Sequence, residues 1–316
     1  MLRFILQRFG YLVLTLWVIA TATFFLMNTL PGDPVQTGTK LLPEQVAQNL
    51  RAKWGLDKPV IVRYGIYFKN LLHGNLGESM KTVGVTANQI IKERFPVSAR
   101  LGLQAILTGL IIGLVLGILA AFKRNTWVDY LVIFIAIMGV SVPSFVLAAL
   151  LQRFLGGHFI FPIIGWPSDN VWFSGWEYTI LPTLALSFWS IATYSRYMRT
   201  SVLEVINSDY ILTAKAKGLS NFQIIRNHIL RNSITPIISI FAPSLAAVVT
   251  GSFVIETIFC LPGLGMYFVQ SIAGRDFIMI MATTIFFSFL FILSIVLMDI
   301  VYGLIDPRIR TTETPK

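Results

Sequence analysis

The sequence predicts an all-α protein that crosses a membrane several times. Its 316 residues are 55% hydrophobic and only 13% charged, and the mean hydropathy is +0.72. A typical soluble domain carries about 25% charged residues, so this composition indicates a chain surrounded by lipid. Apolar runs of about 20 residues are long enough to cross the hydrocarbon core as helices.

About six such runs predict the transmembrane helices. They are Phe9–Leu30, Leu101–Phe122, Tyr130–Gln152, Thr179–Ser195, Pro236–Ile255 and Ile278–Met298. The first run is too long for a cleaved signal peptide, so we interpret it as an anchor. Prolines at 143, 182, 236 and 243 are placed to kink or end spans, although proline is common in membrane helices anyway.

The distribution of basic residues predicts the orientation. Lys and Arg are enriched in short cytoplasmic loops, and here they flank alternate ends of the spans: Arg3, Arg8, Lys123, Arg124, Arg196, Arg199, Lys215, Lys217, Arg226, Arg231, Arg308 and Arg310. Both termini are therefore predicted to be cytoplasmic. The formal net charge of +10 reflects this topology rather than nucleic-acid binding, because no basic-aromatic motif accompanies it.

The segment 31–100 is predicted to be a helical extracytoplasmic insertion, because it is too long for a bare loop. One helix is expected from Pro43 to Gly55 and another from Pro59 to Gly74. Thr86–Gln89 reads as a capping box that opens a third helix, and Pro96 is expected to end it. Two interpretations stay open: a docking surface or gate for an external partner, or a lid over the helix bundle.

A polar, basic segment at 207–236 predicts a cytoplasmic hairpin of two helices. Ser208 or Asp209 is placed to cap a helix through Lys217, and Gly218 fits the position after its end. Ser220–Gln223 reads as a second capping box, so another helix is expected to follow the glycine at once.

Apolar side chains lie next to this predicted turn. Phe222, Ile224 and Ile225 stand where an isolated cytoplasmic loop is expected to be polar, and basic residues surround them. The pattern favours a contact with a soluble partner. The alternative is an amphipathic hairpin that lies on anionic lipid.

Several function classes lack their usual sequence features. The sequence contains no GxxxxGK[ST] phosphate-binding motif, no nucleophile–base set and no histidine spacing typical of a metal site. No charged residue lies near the middle of a predicted span, whereas ion-driven carriers usually keep ionisable groups there. We therefore predict a chain that is not an enzyme, holds no catalytic, cofactor or metal site, and receives its energy from outside.

The hairpin resembles the cytoplasmic signature loop of permease subunits of type I ABC importers. The matching residues are Asp209–Ile211, Thr213–Gly218 and Arg231–Asn232, supported by Pro31–Pro34, Gly139–Phe145, Pro262–Gly265 and Asp306–Arg308. The resemblance covers nearly the whole chain, lies in the peptide and nickel branch, and is strongest to the B subunit of oligopeptide permeases. The glutamate that opens the motif in many sugar and amino-acid importers is absent, because Leu212 and Thr213 occupy that region.

This resemblance implies a single permease domain over 1–316 with the type I importer transmembrane fold, in a bacterial inner membrane. The implied partners are a second homologous permease subunit, two cytoplasmic ATPase subunits that bind ATP and Mg²⁺, and an extracytoplasmic peptide-binding protein. It also implies that the hairpin couples to an ATPase through Ala214, Lys217, Gly218, Leu219, Ser220, Asn221, Phe222, Gln223, Ile224 and Arg226.

The substrate and its path stay open at this point. Oligopeptide import is the leading prediction, and import of dipeptides, glutathione or nickel is the alternative within the same branch. A secondary carrier acting alone is a further alternative. Ser141, Ser144, Ser244, Thr250 and Ser252 form a thin polar stripe that helix packing explains more simply. Glu256 and Asp276 are hypothesised to contact a peptide amine or the binding protein.

Overall fold

The computed structural model describes residues 2–30, 43–82, 84–167, 170–249 and 253–305. These residues are mainly helical, and an isolated β-bridge joins Glu78 to Thr86. They belong to two compact units, one formed by Met1–Ser98 with Pro262–Lys316 and the other by Ala99–Leu261. The motifs at Pro31–Pro34 and Asp306–Arg308, together with Thr250 and Ser252, lie outside the described residues. The single domain over 1–316 stays a prediction.

The first unit is built on two long apolar helices that pack along each other. Its elements are α1 (Leu2–Thr29), α2 (Glu44–Lys53), α3 (Val60–Leu72), the start of α4 (Ala87–Phe122), α13 (Leu264–Gly274) and α14 (Phe277–Ile305). α1 and α14 run side by side, and Arg8 near the start of α1 lies 3.2 Å from Asp299 near the end of α14. The two helices are therefore antiparallel.

The segment after α1 contains the two short helices that its prolines predict. Pro43 and Pro59 stand immediately before α2 and α3 with φ near −50°, which suits the entry to a helix. Gly55 and Gly74 follow the ends of these helices at φ +65° and +72°, a conformation that favours glycine. The two predicted helices are confirmed, and the extracytoplasmic location of the segment stays a prediction.

Pro96 does not end a helix, and that prediction was wrong. α4 continues through it from Ala87 to Phe122. A proline inside a helix removes one hydrogen bond and introduces a steric conflict, but packing on both sides offsets this cost. Phe95 makes an edge-to-face contact with Phe286 at 5.0 Å, and Val97 is buried.

The second unit surrounds one long helix, α7 (Trp176–Ile206). The remainder of α4 and the other elements pack against it or follow from it: α5 (Trp127–Ser141), α6 (Ser144–Leu155), α8 (Asp209–Ala216), α9 (Asn221–Gln223), a π-helix at Ile224–Leu230, α10 (Arg231–Ser233), α11 (Thr235–Val249) and α12 (Phe253–Ile258). Many of the buried side chains of α7 are Ser or Thr, which suits close helix packing within a membrane.

The predicted span Tyr130–Gln152 is not one continuous helix. α5 ends at Ser141, α6 begins at Ser144, and the two helices are bent by 109°. Val142 adopts an extended conformation with ψ 120°, as a residue before proline prefers. Pro143 then stands before the first residue of α6, so the Val-Pro pair is the physical cause of the break.

Three helices in the described part of the chain are long and apolar enough to cross a membrane. They are Leu6–Thr29, Ala87–Phe122 and Phe277–Ile300, and the bent α5–α6 pair adds a fourth if it counts as one span. The predicted fourth span lies within α7, and the fifth extends over α11, three undescribed residues and α12. The predicted number of spans, about six, therefore stays a prediction.

Glycines bring two helices very close to α7. Gly109, Gly113 and Gly117 recur every four residues along α4, and Gly139 lies on α5. A Cβ atom on any of them would lie 2.5–2.7 Å from atoms of α7. Helices in lipid gain no hydrophobic energy by associating, so such small residues supply the contact through close van der Waals packing.

We expect Gly113→Ala to destabilise the second unit by about 1–3 kcal/mol, because the new methyl group would overpack the α4–α7 contact. An added Cβ there would meet Tyr194 Cβ at 2.7 Å. Gly10→Ala is the matched control, since the helical Gly10 has no atom within 4 Å of an added Cβ. Thermal unfolding of both variants in detergent checks this. Equal midpoints would contradict the proposed close contact.

Candidate functional site

The first arm of the hairpin is α8 (Asp209–Ala216), and it ends in a complete Schellman motif. α8 stops at Ala216, Lys217 follows as its C-cap, and Gly218 adopts φ +78°. The amide N–H of Gly218 donates to Lys215 O at 3.0 Å, and that of Leu219 donates to Ala214 O at 3.3 Å. These bonds satisfy carbonyls that the helix end would leave unpaired. The predicted glycine at the helix end is confirmed.

The second arm consists of α9, the π-helix and α10 (Asn221–Ser233), and it begins with the predicted capping box. The Gln223 amide N–H donates to Ser220 Oγ at 3.4 Å, and the Ser220 amide N–H donates to Gln223 Oε1 at 3.0 Å. At the first arm, the Ser208 hydroxyl donates to Val205 O at 2.6 Å and makes no capping bond to α8. The two arms are also joined at their far ends, where Asn232 Nδ2 donates to the Tyr210 hydroxyl at 3.3 Å.

Most of the second arm is a π-helix, which the sequence analysis did not predict. The π-helix runs from Ile224 to Leu230, and its hydrogen bonds join residues five apart. Ile224 and Ile229 are both buried and belong to one cluster, on which Ile225 and Leu230 also pack. The wider turn brings both pairs to the same side of the helix. Two apolar pairs with a spacing of five residues are the sequence signal for it.

A hydrophobic cluster fixes the hairpin to the long helices of the second unit. Its buried members come from α4, α7, both arms and α11: Ala121, Tyr194, Met198, Val202, Ile211, Ala214, Ile224, Ile229 and Ile237. Protein interiors of this kind are close-packed and transmit displacement rather than absorb it. The hairpin and these helices are therefore expected to move together.

The predicted coupling residues divide into a buried and an exposed group. Ala214 and Ile224 are buried in the cluster, and Leu219 packs against it. The others are exposed: Lys217, Gly218, Ser220, Asn221, Phe222, Gln223 and Arg226. The expectation that Ile224 is an apolar surface residue was wrong, because the π-helix turns it inward. Phe222 is 70% exposed, as predicted for an apolar residue at the turn. Leu212 in the first arm is also 70% exposed, which the sequence analysis did not predict.

An ion pair between a partly exposed arginine and a buried carboxylate joins α5 to α7, the helix that leads into the hairpin. Arg199 Nε and Nη2 donate to the two carboxylate oxygens of Asp129 at 2.6 and 2.8 Å. The Asn125 amide N–H donates to the same carboxylate at 3.0 Å, and Asp129 is buried. Such two-point contacts are strong and directional. Removal of Arg199 would leave the buried Asp129 charge without its partner, at a cost of up to about 3–5 kcal/mol.

The hypothesised substrate contacts Glu256 and Asp276 are not at the surface. Glu256 is fully buried. Asp276 accepts hydrogen bonds from the Ser79 hydroxyl at 2.5 Å and from the Met80 amide at 3.2 Å, so it joins the loop between α3 and α4 to the start of α14. Within the described residues, no group of three or more His, Cys, Asp or Glu side chains is placed to hold a metal ion.

Comparison with known protein families decides the class of the chain. Residues 113–311 match the family described as the inner membrane component of binding-protein-dependent transport systems. Residues 1–102 match the N-terminal region described for the membrane components of the same systems. The chain belongs to this transport family.

Characterised members of this transport family match the chain over almost its whole length. It is 43% identical over 313 residues to a dipeptide transport system permease protein of Bacillus subtilis, covering 98% of each chain. It is 41% identical over 312 residues to the oligopeptide transport system permease protein of Salmonella typhimurium, covering 98% of this chain and 100% of the relative. The family resemblance inferred from the hairpin motif is confirmed.

We expect Gly218→Val to loosen the hairpin without disturbing its packing. No atom lies within 4 Å of an added Cβ, so the cost comes from the left-handed backbone conformation, at roughly 1–2 kcal/mol. Amide hydrogen exchange of Ala214–Leu219 is expected to accelerate about tenfold. Gly218→Asn should change it less, because asparagine tolerates this conformation. Unchanged exchange in the valine variant would show that the turn is not strained by a side chain.

Proposed function

We propose that this chain is the membrane-spanning subunit of an ATP-driven importer of oligopeptides, coupled to a cytoplasmic ATPase through the hairpin 207–236. One observation carries the proposal. Phe222 is exposed at the corner Gly218–Phe222, where the two arms of the hairpin meet, and the buried side chains of these arms pack onto α4 and α7. An exposed aromatic side chain surrounded by polar neighbours is typical of an anchor that enters a partner's pocket.

The surroundings of Phe222 suit a contact with a soluble protein. Lys215, Lys217, Arg226 and Arg231 are exposed on the two arms and provide a basic rim. An apolar centre with a charged rim is the usual anatomy of such an interface. Electrostatic attraction at the rim would favour an acidic region of the ATPase and speed its association.

The geometry explains how movement of an ATPase would reach the membrane. ATP and Mg²⁺ would be bound by the partner subunits and would supply the energy by closing the two ATPases together. The corner at Gly218–Phe222 would follow its ATPase, and the buried cluster would carry the displacement to α4 and α7. The Arg199–Asp129 contact would then make α5 follow α7. Near-rigid movement of such helices would alternate access to a central path.

The remaining partners and the location are part of the same proposal. A second homologous permease subunit would complete the path, and an extracytoplasmic peptide-binding protein would deliver the substrate. The family description names dependence on a binding protein, which supports that partner. We place the chain in the bacterial inner membrane with both termini cytoplasmic, on the basis of its alternating basic residues.

A dipeptide is the second candidate substrate, and the comparisons favour it as much as an oligopeptide. Relatives at 43% and 41% identity are named dipeptide and oligopeptide permeases respectively. Glutathione and nickel stay alternatives within the branch. A carrier that works alone is a further alternative, and it would transport after reconstitution as a single chain.

We expect Phe222→Ala to weaken ATPase binding about tenfold or more, as loss of an interface anchor does. The stability of the chain should change by no more than about 0.5 kcal/mol, because the side chain is exposed. Leu72→Ala is the matched control, since Leu72 is 77% exposed but lies on α3. Co-purification with the ATPases measures the effect. Equal recovery of ATPase with both variants would exclude Phe222 as the anchor.

We expect the chain to restore uptake of labelled tetra- and pentapeptides in cells from which its gene has been deleted. Uptake should stop when ATP is depleted while the proton gradient is maintained. Restored uptake of dipeptides or nickel alone would contradict the substrate but keep the mechanism. Uptake that follows the proton gradient after ATP loss would contradict the mechanism itself.

A further inference from the structure

A cavity of about 810 Å³ lies in the first unit. Its walls come from the last turns of α1, from α2 and α3, from the loop around Gly77 and from the start of α14. All of these elements belong to the same compact unit. Nothing in the proposed transport mechanism uses this cavity, so its chemistry can be considered independently.

The cavity is lined by more cationic than anionic side chains. Arg51, Lys53, Lys58 and Arg63 line it, and Glu78 is the one carboxylate among its described lining residues. Arg51 lies 3.3 Å from Glu44, and Lys53 lies 3.0 Å from Glu78. In the described part of the chain, Lys58 and Arg63 have no carboxylate within ion-pair distance.

Arg63 is the cation that most needs a counterion. Its side chain is partly buried, and this burial lowers the pKa of the guanidinium from its usual range. Glu78, the one carboxylate among the described lining residues, already accepts from Lys53 at 3.0 Å and from the Gly84 amide at 2.7 Å. These two donors lower the pKa of Glu78 and keep it ionised. An anionic ligand would supply the negative charge that Arg63 lacks.

One face of α3 lines the cavity, and the opposite face points away from it. Arg63, Ile66, Tyr67 and Asn70 line the cavity, with the i, i+3, i+4, i+7 spacing of one helix face. Ile61 and Leu72 lie on the opposite face and are 70% and 77% exposed. A helix with an exposed apolar face opposite a face that carries polar and cationic side chains is typical of one that lies in a membrane interface.

Contacts with α1 place α3 beside a membrane-spanning helix rather than beyond its end. The Tyr64 hydroxyl is hydrogen-bonded to Thr21 Oγ1 at 2.8 Å, and the Tyr64 ring stacks on Phe25 at 5.5 Å. Thr21 lies eight residues before the end of α1, which corresponds to about 12 Å along the helix. The cavity therefore lies where hydrocarbon gives way to lipid headgroups.

The floor of the cavity is apolar. Phe24 and Met27 of α1 line it together with Phe277, Ile278 and Met281 of α14. A ligand that fits both parts has an anionic head and an apolar body. Phospholipids with a net negative charge have this chemistry, whereas a zwitterionic lipid would bring an ammonium group that the lining has no free carboxylate to accept.

We propose that this cavity binds the phosphate of an anionic phospholipid from the surrounding leaflet, with Arg63 and Lys58 as its charge partners. The lipid would tie α3 to the ends of α1 and α14 and thereby stabilise the insertion. The proposal rests on the membrane location of α1 and α14 and does not depend on the proposed transport function.

The test uses the full chain, purified in detergent and stripped of lipid, and titrates it with phosphatidylglycerol that carries brominated acyl chains. The test chain keeps Trp54, which lines the cavity, and carries phenylalanine in place of the six other tryptophans. Quenching of Trp54 fluorescence should then saturate at about one lipid per chain. Arg63→Gln and Lys58→Gln should each weaken binding about tenfold, the loss expected for one charge-assisted hydrogen bond. Arg63→Lys should retain most of the affinity.

Lys69→Gln is the matched control, because Lys69 is an exposed cation of α3 that does not line the cavity. It should bind phosphatidylglycerol like the unchanged chain. Lys58 is exposed, so its variant tests the site even if Arg63→Gln fails to fold. Equal affinity in Lys58→Gln and Lys69→Gln would overturn the proposal.

Three competing ligands separate the sources of the anion. Brominated phosphatidylcholine should bind at least tenfold more weakly, and neither inorganic phosphate nor trialanine should displace phosphatidylglycerol at millimolar concentration. Equal binding of phosphatidylcholine would overturn the charge argument. Displacement by phosphate would show a free-anion site, and displacement by trialanine would show a peptide site, and either would overturn the lipid proposal.

Discussion

The close contact of α4 and α5 with α7 is the constraint on which the second unit depends. Gly109, Gly113 and Gly117 place α4 against the α7 backbone, and Gly139 does the same for α5. In lipid this packing replaces the hydrophobic effect that would hold helices together in water. The Arg199–Asp129 contact adds a directional bond between α5 and α7. The hairpin inherits this rigidity, because its buried cluster includes side chains of α4 and α7.

In the hairpin, some apolar residues are buried and hold the structure together, whereas others are exposed and available to a partner. The sequence does not show which residues belong to which group. Ile224 and Phe222 are two residues apart and both apolar, yet the first is 3% exposed and the second 70%. The capping box begins a helix at Asn221, and the π-helix then determines which side chains face the cluster. A partner that binds this surface would contact Phe222 and the basic rim, while Ile224 would act only by holding the corner in place.

The first unit combines two kinds of polar contact. Asp276 bonds to Ser79 and Met80 inside the protein, which explains why a carboxylate near the membrane surface is not available to a substrate. Lys58 and Arg63 have no such partner in the described structure and face a cavity instead. Partial burial without a carboxylate partner is costly for the Arg63 cation, so the proposed ligand would offset a cost that packing in the first unit does not.

The sequence by itself determined the class of protein, the ends of α2 and α3, the Gly218 turn and the Ser220 capping box. These features depend on composition and on bonds between residues close in sequence, such as the one from Gly218 to Lys215. The tertiary structure alone decided that α4 continues through Pro96 and that Ile224 turns inward, and it set the 109° angle of the bend for which Pro143 is placed. Local sequence alone does not decide these outcomes, because packing against residues distant in sequence can offset even the cost of a proline inside a helix.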